Sequence, residues 1–254
     1  MSAAVHRQTE EMKRRNRVIA IVVAAAVLFG GIVVVADFGL KAFAEGQIRS
    51  AIVKNLPSNV TGDVSVQIGG GSFLAQYASG SFSEVTLNSD NLTVNGVPLK
   101  AHVVAHDVST DQTKPIPRAS ATLTLDQTAV NSFLSIPGSN EIVLADGTVR
   151  YQGSFQLFGL TLGYDATATA APVGGTVQLT PTGATLSAGS ASLDVGGALK
   201  TIVSKPISIC VAQYLPKSMQ VTSITPSAGF VVVDLSATDL VLTEDALKQT
   251  GSCD

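Results

Sequence analysis

A run of nineteen residues without a charge, Val18 to Ala36, constrains this chain more than any other segment. A helix rises about 1.5 Å per residue, so this run is about 28 Å long as a helix and nearly matches the ~30 Å hydrocarbon core of a bilayer. Five basic residues precede it, namely Arg7, Lys13, Arg14, Arg15 and Arg17. Because Lys and Arg close to a span favour the cytoplasmic side, the sequence predicts a single-pass anchor in the cytoplasmic membrane. The N-terminus then lies inside, and everything from Asp37 lies in the periplasm or cell envelope.

Two other interpretations of the run stay open. Ala42-Phe43-Ala44 has the small-residue pattern of a signal-peptidase site, although the apolar core of a signal peptide is usually only about 7–15 residues long. A buried core helix is the third interpretation, and it would need apolar cover on every side. The predicted organisation is a basic cytoplasmic tail (residues 1–17), an anchor or signal peptide (18–36) and an exported domain (37–254).

The exported part is acidic. From Asp37 onward it carries eleven Lys and Arg against seventeen Asp and Glu, a net charge of −6, whereas the whole chain has −3. Nucleic-acid binding depends on clustered basic residues that neutralise phosphates, and no run of Lys and Arg follows the apolar segment. The sequence therefore excludes nucleic acid as a partner.

Both cysteines, Cys210 and Cys253, lie in the exported part. Two thiols in an oxidising compartment most simply pair with each other. Closing the loop between Cys210 and Cys253 stabilises the fold by roughly 3–4 kcal/mol in the chain-entropy model. We therefore predict a disulfide, with two unpaired thiols as the alternative.

Periodicity predicts two main helices and many strands. Leu40, Ala44, Ile48, Ala51, Ile52 and Leu56 share one face of a first helix, which Pro57 ends. A second helix is predicted from Leu199, Ile202, Val203, Ile207, Cys210, Val211 and Tyr214, with a kink at Pro206 and an end at Pro216. Asp126 is expected to cap a brief helix through Ala129, Val130, Phe133 and Leu134.

From about Asp63 the apolar period changes to two, the period of a strand with one buried face. The alternation runs through Val64, Val66, Ile68, Val85, Leu87, Leu92, Val94, Leu99, Ala101, Val103, Ile142, Leu144, Val149, Tyr151, Leu160, Leu162, Tyr164, Val177 and Leu179, and returns at Val221, Ile224, Val232 and Leu235. Asn95-Gly96 is a strong hairpin signal. Because turn residues rather than helices join the strands, we predict an α+β fold. It would be one long, curved antiparallel sheet wrapped against the two main helices, similar in shape to tubular lipid-binding folds.

No residue pattern indicates catalysis, a metal ion or a cofactor. His102 and His106 alternate with apolar residues as in a strand, where they would lie about 13 Å apart, too far to share one metal ion. Gly69-Gly70-Gly71 lacks the Gly-Lys-Ser/Thr and the helix start of a phosphate-binding loop. We therefore expect a protein that is not an enzyme.

Several segments of the exported domain resemble the LmeA family of actinobacterial cell-envelope proteins. They are Val64-Ser-Val-Gln-Ile68, Gly71-Ser-Phe-Leu-Ala-Gln76 with Gly80-Ser-Phe-Ser-Glu-Val85, and Leu215-Pro-Lys-Ser-Met-Gln-Val221 with Gly229-Phe-Val-Val-Val-Asp-Leu235. Family members often carry a proline before the first phenylalanine, where this chain has Ser72. The resemblance implies phospholipid binding and a role in building mannose-containing lipoglycans such as lipomannan, in a bacterium with a mycolic-acid-type envelope.

The leading hypothesis is a membrane-anchored protein that binds or transfers phospholipid or a lipoglycan precursor. The expected acyl-chain lining is Phe73, Leu74, Phe133, Phe155, Leu157, Leu160, Ile202 and Ile207. The candidate head-group ligands are Arg49, Lys54, Lys114 and Arg118.

Two alternatives come from other classes. One is a structural scaffold that binds no lipid and recruits envelope-biosynthesis enzymes through its sheet edges. The other is a lipoglycan-modifying enzyme, which would need an acid pair such as Asp107 with Asp111, or Asp234 with Asp239.

Overall fold

The fold is built largely of antiparallel strands. The computed structural model describes residues 2–56, 59–111, 113–133, 139–157, 160–188, 191–194, 206–243, 245–246 and 249–253. The helices are α1 (Ser2–Asn55), α2 (Phe73–Ser79) and α3 (Gln127–Phe133), and a short 3-10 helix covers Ala212–Tyr214. The strands are β1 (Val60–Thr61), β2 (Ser65–Ile68), β3 (Ser81–Val94), β4 (Val97–Ser109), β5 (Ile116–Asp126), β6 (Ser139–Ala145), β7 (Thr148–Leu157), β8 (Leu160–Val173), β9 (Thr176–Ala188), β10 (Ala191–Asp194), β11 (Ile207–Cys210), β12 (Met219–Ser227) and β13 (Phe230–Leu240).

Helix α1 unites two segments that were predicted separately, the anchor and the first amphipathic helix. Its half-buried residues Ala44, Ile48 and Ile52 share the face that lies toward β2. Two side chains attach it there. The Glu45 carboxylate accepts a 2.8 Å hydrogen bond from the Ile68 amide, and the Arg49 guanidinium pairs with the Asp63 carboxylate at 3.2 Å. Among the residues that the structure describes, no helix contains a stretch long and apolar enough to cross a membrane. The structure does not describe the side chains of residues 18–26 of the predicted anchor, so the anchor stays a prediction.

Within the described ranges the strands form two antiparallel sheets, not the single sheet that was predicted. In the seven-stranded sheet, β1 and β2 both pair with β3, and the order continues β4, β5, β13, β12. In the six-stranded sheet, β10 and β11 both pair with β9, and the order continues β8, β7, β6. Alternation along a strand indicates which residues share a face, but it carries no information about which sheet the strand joins.

The two sheets meet at β12, which lies against β8, β6 and β7. Helix α3 closes one end of this junction, with Ala129 and Val130 buried. The predicted cap of this helix is confirmed, because the Asp126 carboxylate accepts a 2.7 Å hydrogen bond from the Ala129 amide. Phe133 ends the helix, and Leu134 lies outside the described residues.

The predicted second helix is wrong over residues 207–210, and in its described part only the 3-10 turn Ala212–Tyr214 is helical. Ile207 to Cys210 form β11, whose residues pair with β9 at Ile207–Leu179 and Ile209–Val177. In four residues the spacing of apolar side chains fits either a helix or a strand, and pairing with an open edge of β9 decides for the strand. Leu199, Ile202 and Val203 lie outside the described residues.

The predicted disulfide between Cys210 and Cys253 is present, with the two Cα atoms 5.7 Å apart. It attaches the C-terminal tail to β11 and through it to the edge of the six-stranded sheet. Backbone hydrogen bonds of 3.0 Å from the Gly251 amide to the carbonyls of Ala212 and Leu215 hold the same tail.

Candidate functional site

One face of the seven-stranded sheet is apolar across its whole width. Strand register aligns neighbouring residues into rows that cross five strands. Two such rows are Val85, Ala105, Ala119, Ala237 and Met219, and then Leu87, Val103, Ala121, Leu235 and Val221. β2 extends these rows with Ile68 and Val66. We call this surface the apolar face of the seven-stranded sheet.

The opposite face of this sheet is polar. The rows that flank those above contain Asn88, His102, Thr122 and Asp234, and then Glu84, His106, Arg118 and Thr238. The Thr122 hydroxyl donates a 2.8 Å hydrogen bond to the Asp234 carboxylate across the row. The sheet is therefore two-sided, with one face suited to water and the other to apolar matter.

The six-stranded sheet has the same two-sided construction. Its apolar face carries Ile142, Leu144, Val149, Tyr151, Tyr164, Ala166, Ala168, Ala170, Val177, Leu179, Ala184 and Leu186. Its other face carries polar residues, including Arg150, which forms a 2.8 Å ion pair with Asp165 on the neighbouring strand.

The two apolar faces meet as one continuous interior. Ile224 of β12 packs against two hydrophobic clusters of described residues. One cluster contains Val130, Ile142, Leu144, Val149 and Val231, and the other contains Ala168, Val177 and Leu179. Residues of both sheets therefore contribute to a common apolar lining on either side of Ile224.

Away from this junction the apolar face of the seven-stranded sheet is built of small side chains. Ala105, Ala119 and Ala237 stand side by side in register, so three adjacent strands present only methyl groups there. Ala105 and Ala237 are buried, whereas Ala119 and the larger neighbours Val85, Leu87 and Val103 are only half-buried. A face whose large side chains are partly exposed is packed less completely than a filled core, which would bury them.

Two polar groups on the apolar face of the six-stranded sheet belong to a tyrosine pair. The rings of Tyr151 and Tyr164 meet edge to face, with centroids 6.2 Å apart. Burial raises the pKa of the Tyr151 hydroxyl, and the neighbouring Tyr164 adds to the effect. The raised pKa indicates that this hydroxyl lies in apolar surroundings.

Helix α2 begins on a carboxylate of α1. Asp37 accepts hydrogen bonds from the amides of Leu74 (2.7 Å) and Phe73 (3.1 Å) and from the hydroxyl of Ser72 (2.7 Å). These bonds lower the pKa of Asp37, with the Leu74 amide making the largest contribution. The sequence reasoning missed this helix; its available signals were Ser72 as N-cap and Gly80, with φ of 79°, as C-cap.

Aromatic rings connect the exposed side of α2 with β3. Phe73 is buried and lies between two rings, with Tyr77 at 6.1 Å and Phe82 at 5.6 Å between centroids. Tyr77 is 62% exposed. This row of rings runs from the exposed Tyr77 to Phe82, near the start of β3.

The predicted lining residues divide into three groups. Phe73 is buried and Leu74 half-buried on α2, whereas Ile207 is 42% exposed on β11. Phe133, Phe155, Leu157 and Leu160 have described backbones but side chains outside the described ones, and Ile202 lies outside the described residues altogether. By register, Phe155 and Leu157 belong to the same alternating set of β7 as Tyr151. The apolar residues of β4, β5 and β13 were recognised as strand residues but not as candidate lining.

The candidate head-group residues do not come together. Lys114 lies in the loop between β4 and β5, and Arg118 lies on β5 in register with His106 and Thr238. Arg49 and Lys54 lie on α1, about 18 and 26 Å along the helix from Asp37. Arg118 is paired with Asp107 at 2.9 Å, and Arg49 with Asp63.

Three of the four carboxylates proposed for an acid pair are each held by a partner of their own. Asp107 pairs with Arg118, and Asp234 accepts from Thr122. Asp111 accepts hydrogen bonds from the hydroxyl and the amide of Thr113, which lower its pKa. These contacts are those of structural surface groups.

A cavity of about 120 Å³ lies near the polar face of the seven-stranded sheet, lined by Asn88, Ser89, Asp90, Lys100, Ala101, His102, Thr122 and Thr124. Small-molecule sites usually measure about 300–1,000 Å³. This cavity is therefore too small and too polar for an acyl chain.

No curated protein and no solved structure matches this chain. The model of one family does match it, over residues 35–236, and its description is LmeA-like phospholipid-binding. The matched range begins at the end of the apolar run and ends in β13, so it includes α2, both sheets and the junction at Ile224. This confirms the resemblance found in the sequence: the chain belongs to the LmeA-like phospholipid-binding family.

Proposed function

We propose that this protein holds a phospholipid with its acyl chains against the apolar faces of the two sheets. The observation that carries the proposal is the apolar face of the seven-stranded sheet, which joins that of the six-stranded sheet at Ile224 and whose large residues Val85, Leu87 and Val103 are only half-buried. Membership of a phospholipid-binding family supports it.

The energetics of such a site are sufficient. Burying one methylene group gains about 0.8 kcal/mol, so ten methylenes gain about 8 kcal/mol, the free energy of micromolar binding before ordering costs are subtracted. A ligand held by its acyl chains needs few polar contacts, in keeping with candidate head-group residues that lie apart.

We also propose that α1 anchors the protein in the cytoplasmic membrane through residues 18–36, with the two sheets in the periplasm or cell envelope. The support comes from the uncharged run, its basic flank and the disulfide, which forms in oxidising compartments. In this setting the protein binds or transfers lipid during assembly of mannose-containing lipoglycans, without itself making or breaking bonds.

Two adjacent valines of β4 provide the test. Val103 lies on the apolar face, in register with Leu87 and Ala121, whereas Val104 lies on the opposite face between Thr86 and Ser120. Both are half-exposed. A charged side chain at position 103 would border the proposed ligand, whereas the same side chain at position 104 would lie on the other face of the sheet.

The experiment compares Val103→Asp with Val104→Asp in the full chain, by organic extraction and mass spectrometry of phospholipid that co-purifies in a mild detergent. We expect bound phospholipid in the wild type and in Val104→Asp, and its loss in Val103→Asp. Equal lipid content in two folded variants would refute the site. A wild type without lipid, even after incubation with phospholipid vesicles, would favour the scaffold alternative.

A further inference from the structure

The first residue after the apolar run is also the residue on which α2 begins. Asp37 follows Ala36 in an unbroken helix, and its carboxylate binds the first amides of α2. Because α1 rises about 1.5 Å per residue, Asp37 lies within a few ångströms of the end of the run. Helix α2 is therefore held at the level where the run ends.

The surface of α2 at this level is aromatic and carries no charged side chain. α2 reads Phe-Leu-Ala-Gln-Tyr-Ala-Ser and contains no Asp, Glu, Lys, Arg or His. Tyr77 is 62% exposed, and Phe38 on the adjoining turn of α1 is 67% exposed. Tyrosine and tryptophan are enriched where a protein meets the interface of a bilayer, because their rings are apolar and their edges polar.

The strands run away from this level. Successive residues along α1 contact different parts of the domain: Asp37 contacts α2, and Glu45 contacts Ile68. Beyond the helix, Asn59 donates a 3.1 Å hydrogen bond to Asn95, in the hairpin at the far end of the sheet. Phe230 lies at that distant end, in register with Asp126 and seven residues from Ala237, or about 23 Å along the strand. One end of the seven-stranded sheet therefore carries α2, and the other carries Phe230.

We propose that the α2 surface, formed by Phe38, Leu74 and Tyr77, is seated in the outer interface of the bilayer that α1 spans, so that lipid passes from that leaflet to the apolar faces past α2. This inference rests on the anchor and the lipid site of the proposed function. The occupant of the α2 surface is a phospholipid bilayer, because the uncharged run that precedes Asp37 has the length to cross one. Since α1 continues without a break into the domain, the domain lies directly on the membrane surface and no flexible linker separates the two.

The chain contains no tryptophan, which makes a direct test possible. Tyr77→Trp places one fluorophore on α2, and Phe230→Trp places one at the far end of the sheet, at an aromatic residue that is 40% exposed. The full-length variants are reconstituted into vesicles of equimolar phosphatidylcholine and phosphatidylglycerol, with or without bromine on the acyl chains as a contact quencher. We expect a blue-shifted emission that bromine quenches for Tyr77→Trp, and neither effect for Phe230→Trp.

Equal quenching in both variants, or none in Tyr77→Trp, would overturn the proposal. Ala78→Trp, at an exposed position next to Tyr77, serves as a second reporter if the first variant does not fold. The failure of this proposal is distinguishable from that of the lipid site. A protein that retains lipid but shows no quenching lacks only the docking, whereas quenching without retained lipid supports the docking and refutes the lipid site.

Discussion

The backbone amide of Leu74 donates a 2.7 Å hydrogen bond to the carboxylate of Asp37, a residue thirty-seven positions earlier in the chain. This bond joins the end of the apolar run to the helix that precedes β3. It gives one carboxylate two functions, because Asp37 ends the uncharged segment and also accepts the first amides of α2. Together with the contacts of Glu45 and Arg49, it attaches α1 to the rest of the domain.

Asp37 should make stability depend on pH at the acidic end. Its pKa is below the ordinary 3.8 in the folded protein because of the Leu74 amide and then the Ser72 hydroxyl. A lowered pKa means that the ionised carboxylate stabilises the fold fully above pH 3.8, and that this contribution is lost as the pH falls through the folded-state value. We expect Asp37→Asn to lower the Tm at neutral pH, and the difference from wild type to shrink below pH 3.8.

Thermal unfolding of both proteins between neutral pH and the acid range measures this difference. The same change at Asp90, an exposed residue of β3, is the control and should have little effect. A Tm difference that stays constant down to the lowest pH would contradict the role of the Asp37 carboxylate.

Replacing a methyl group on the apolar face should separate a groove from a filled core. Ala119 lies on that face between Ala105 and Ala237, and its neighbour Ser120 is exposed on the opposite face. If the space above Ala119 holds acyl chains, Ala119→Phe should displace lipid with little loss of stability, while Ser120→Phe retains it. In a filled core, overpacking would cost about 1–3 kcal/mol and leave lipid content unchanged.

The measurements are extractable phospholipid per protein and the free energy of unfolding in denaturant. Large destabilisation of Ala119→Phe, with unaltered lipid, would show that the apolar face is core and not a site.

The disulfide should contribute to stability mainly through the unfolded chain. Cys210 and Cys253 are 43 residues apart, and closing a loop of that size is worth about 4 kcal/mol in the chain-entropy model. We expect the double variant Cys210→Ser/Cys253→Ser to unfold at a lower denaturant concentration, and reduced wild type to coincide with it. If the midpoint does not move, the backbone hydrogen bonds of the tail, including those of Gly251, hold it without the disulfide.

The turn before α2 should tolerate an added methyl group at one glycine and not at its neighbour. A Cβ at Gly70 would collide with the Ser83 hydroxyl oxygen. Gly70 also has a φ of +88°, which L side chains rarely adopt. At Gly71 a Cβ meets nothing within 4 Å. Gly70→Ala should therefore cost about 1–3 kcal/mol of unfolding free energy, and Gly71→Ala should be near neutral. Comparable losses in both variants would place the sensitivity in the turn as a whole.

Local chemistry made several elements predictable. Asn95 and Gly96 both have positive φ, at 52° and 80°, which is the conformation that the Asn-Gly signal implies. The cap at Asp126 and the pairing of Cys210 with Cys253 are likewise present. Each of these features depends on a few residues whose preferences do not change with the rest of the fold.

The errors arose where a short segment had two solutions. Residues 207–210 fit a helix and a strand equally well, and the open edge of β9 selected the strand. Helix α2 has only seven residues, too few for its periodicity to stand out, and its first amides depend on Asp37 of another element. Neither outcome was available from spacing within the segment.

The sequence by itself determined the two-sidedness of each strand, the uncharged run before Asp37 and the cysteine pair, because alternation, hydropathy and thiol chemistry are properties of neighbouring residues. Only the tertiary structure decided that the strands divide into two sheets, that their apolar faces meet at Ile224, and that α2 begins on Asp37. Alternation specifies which side of a strand is apolar, but many pairings satisfy it equally. The choice among them depends on contacts between distant residues, which form together only when the whole chain folds.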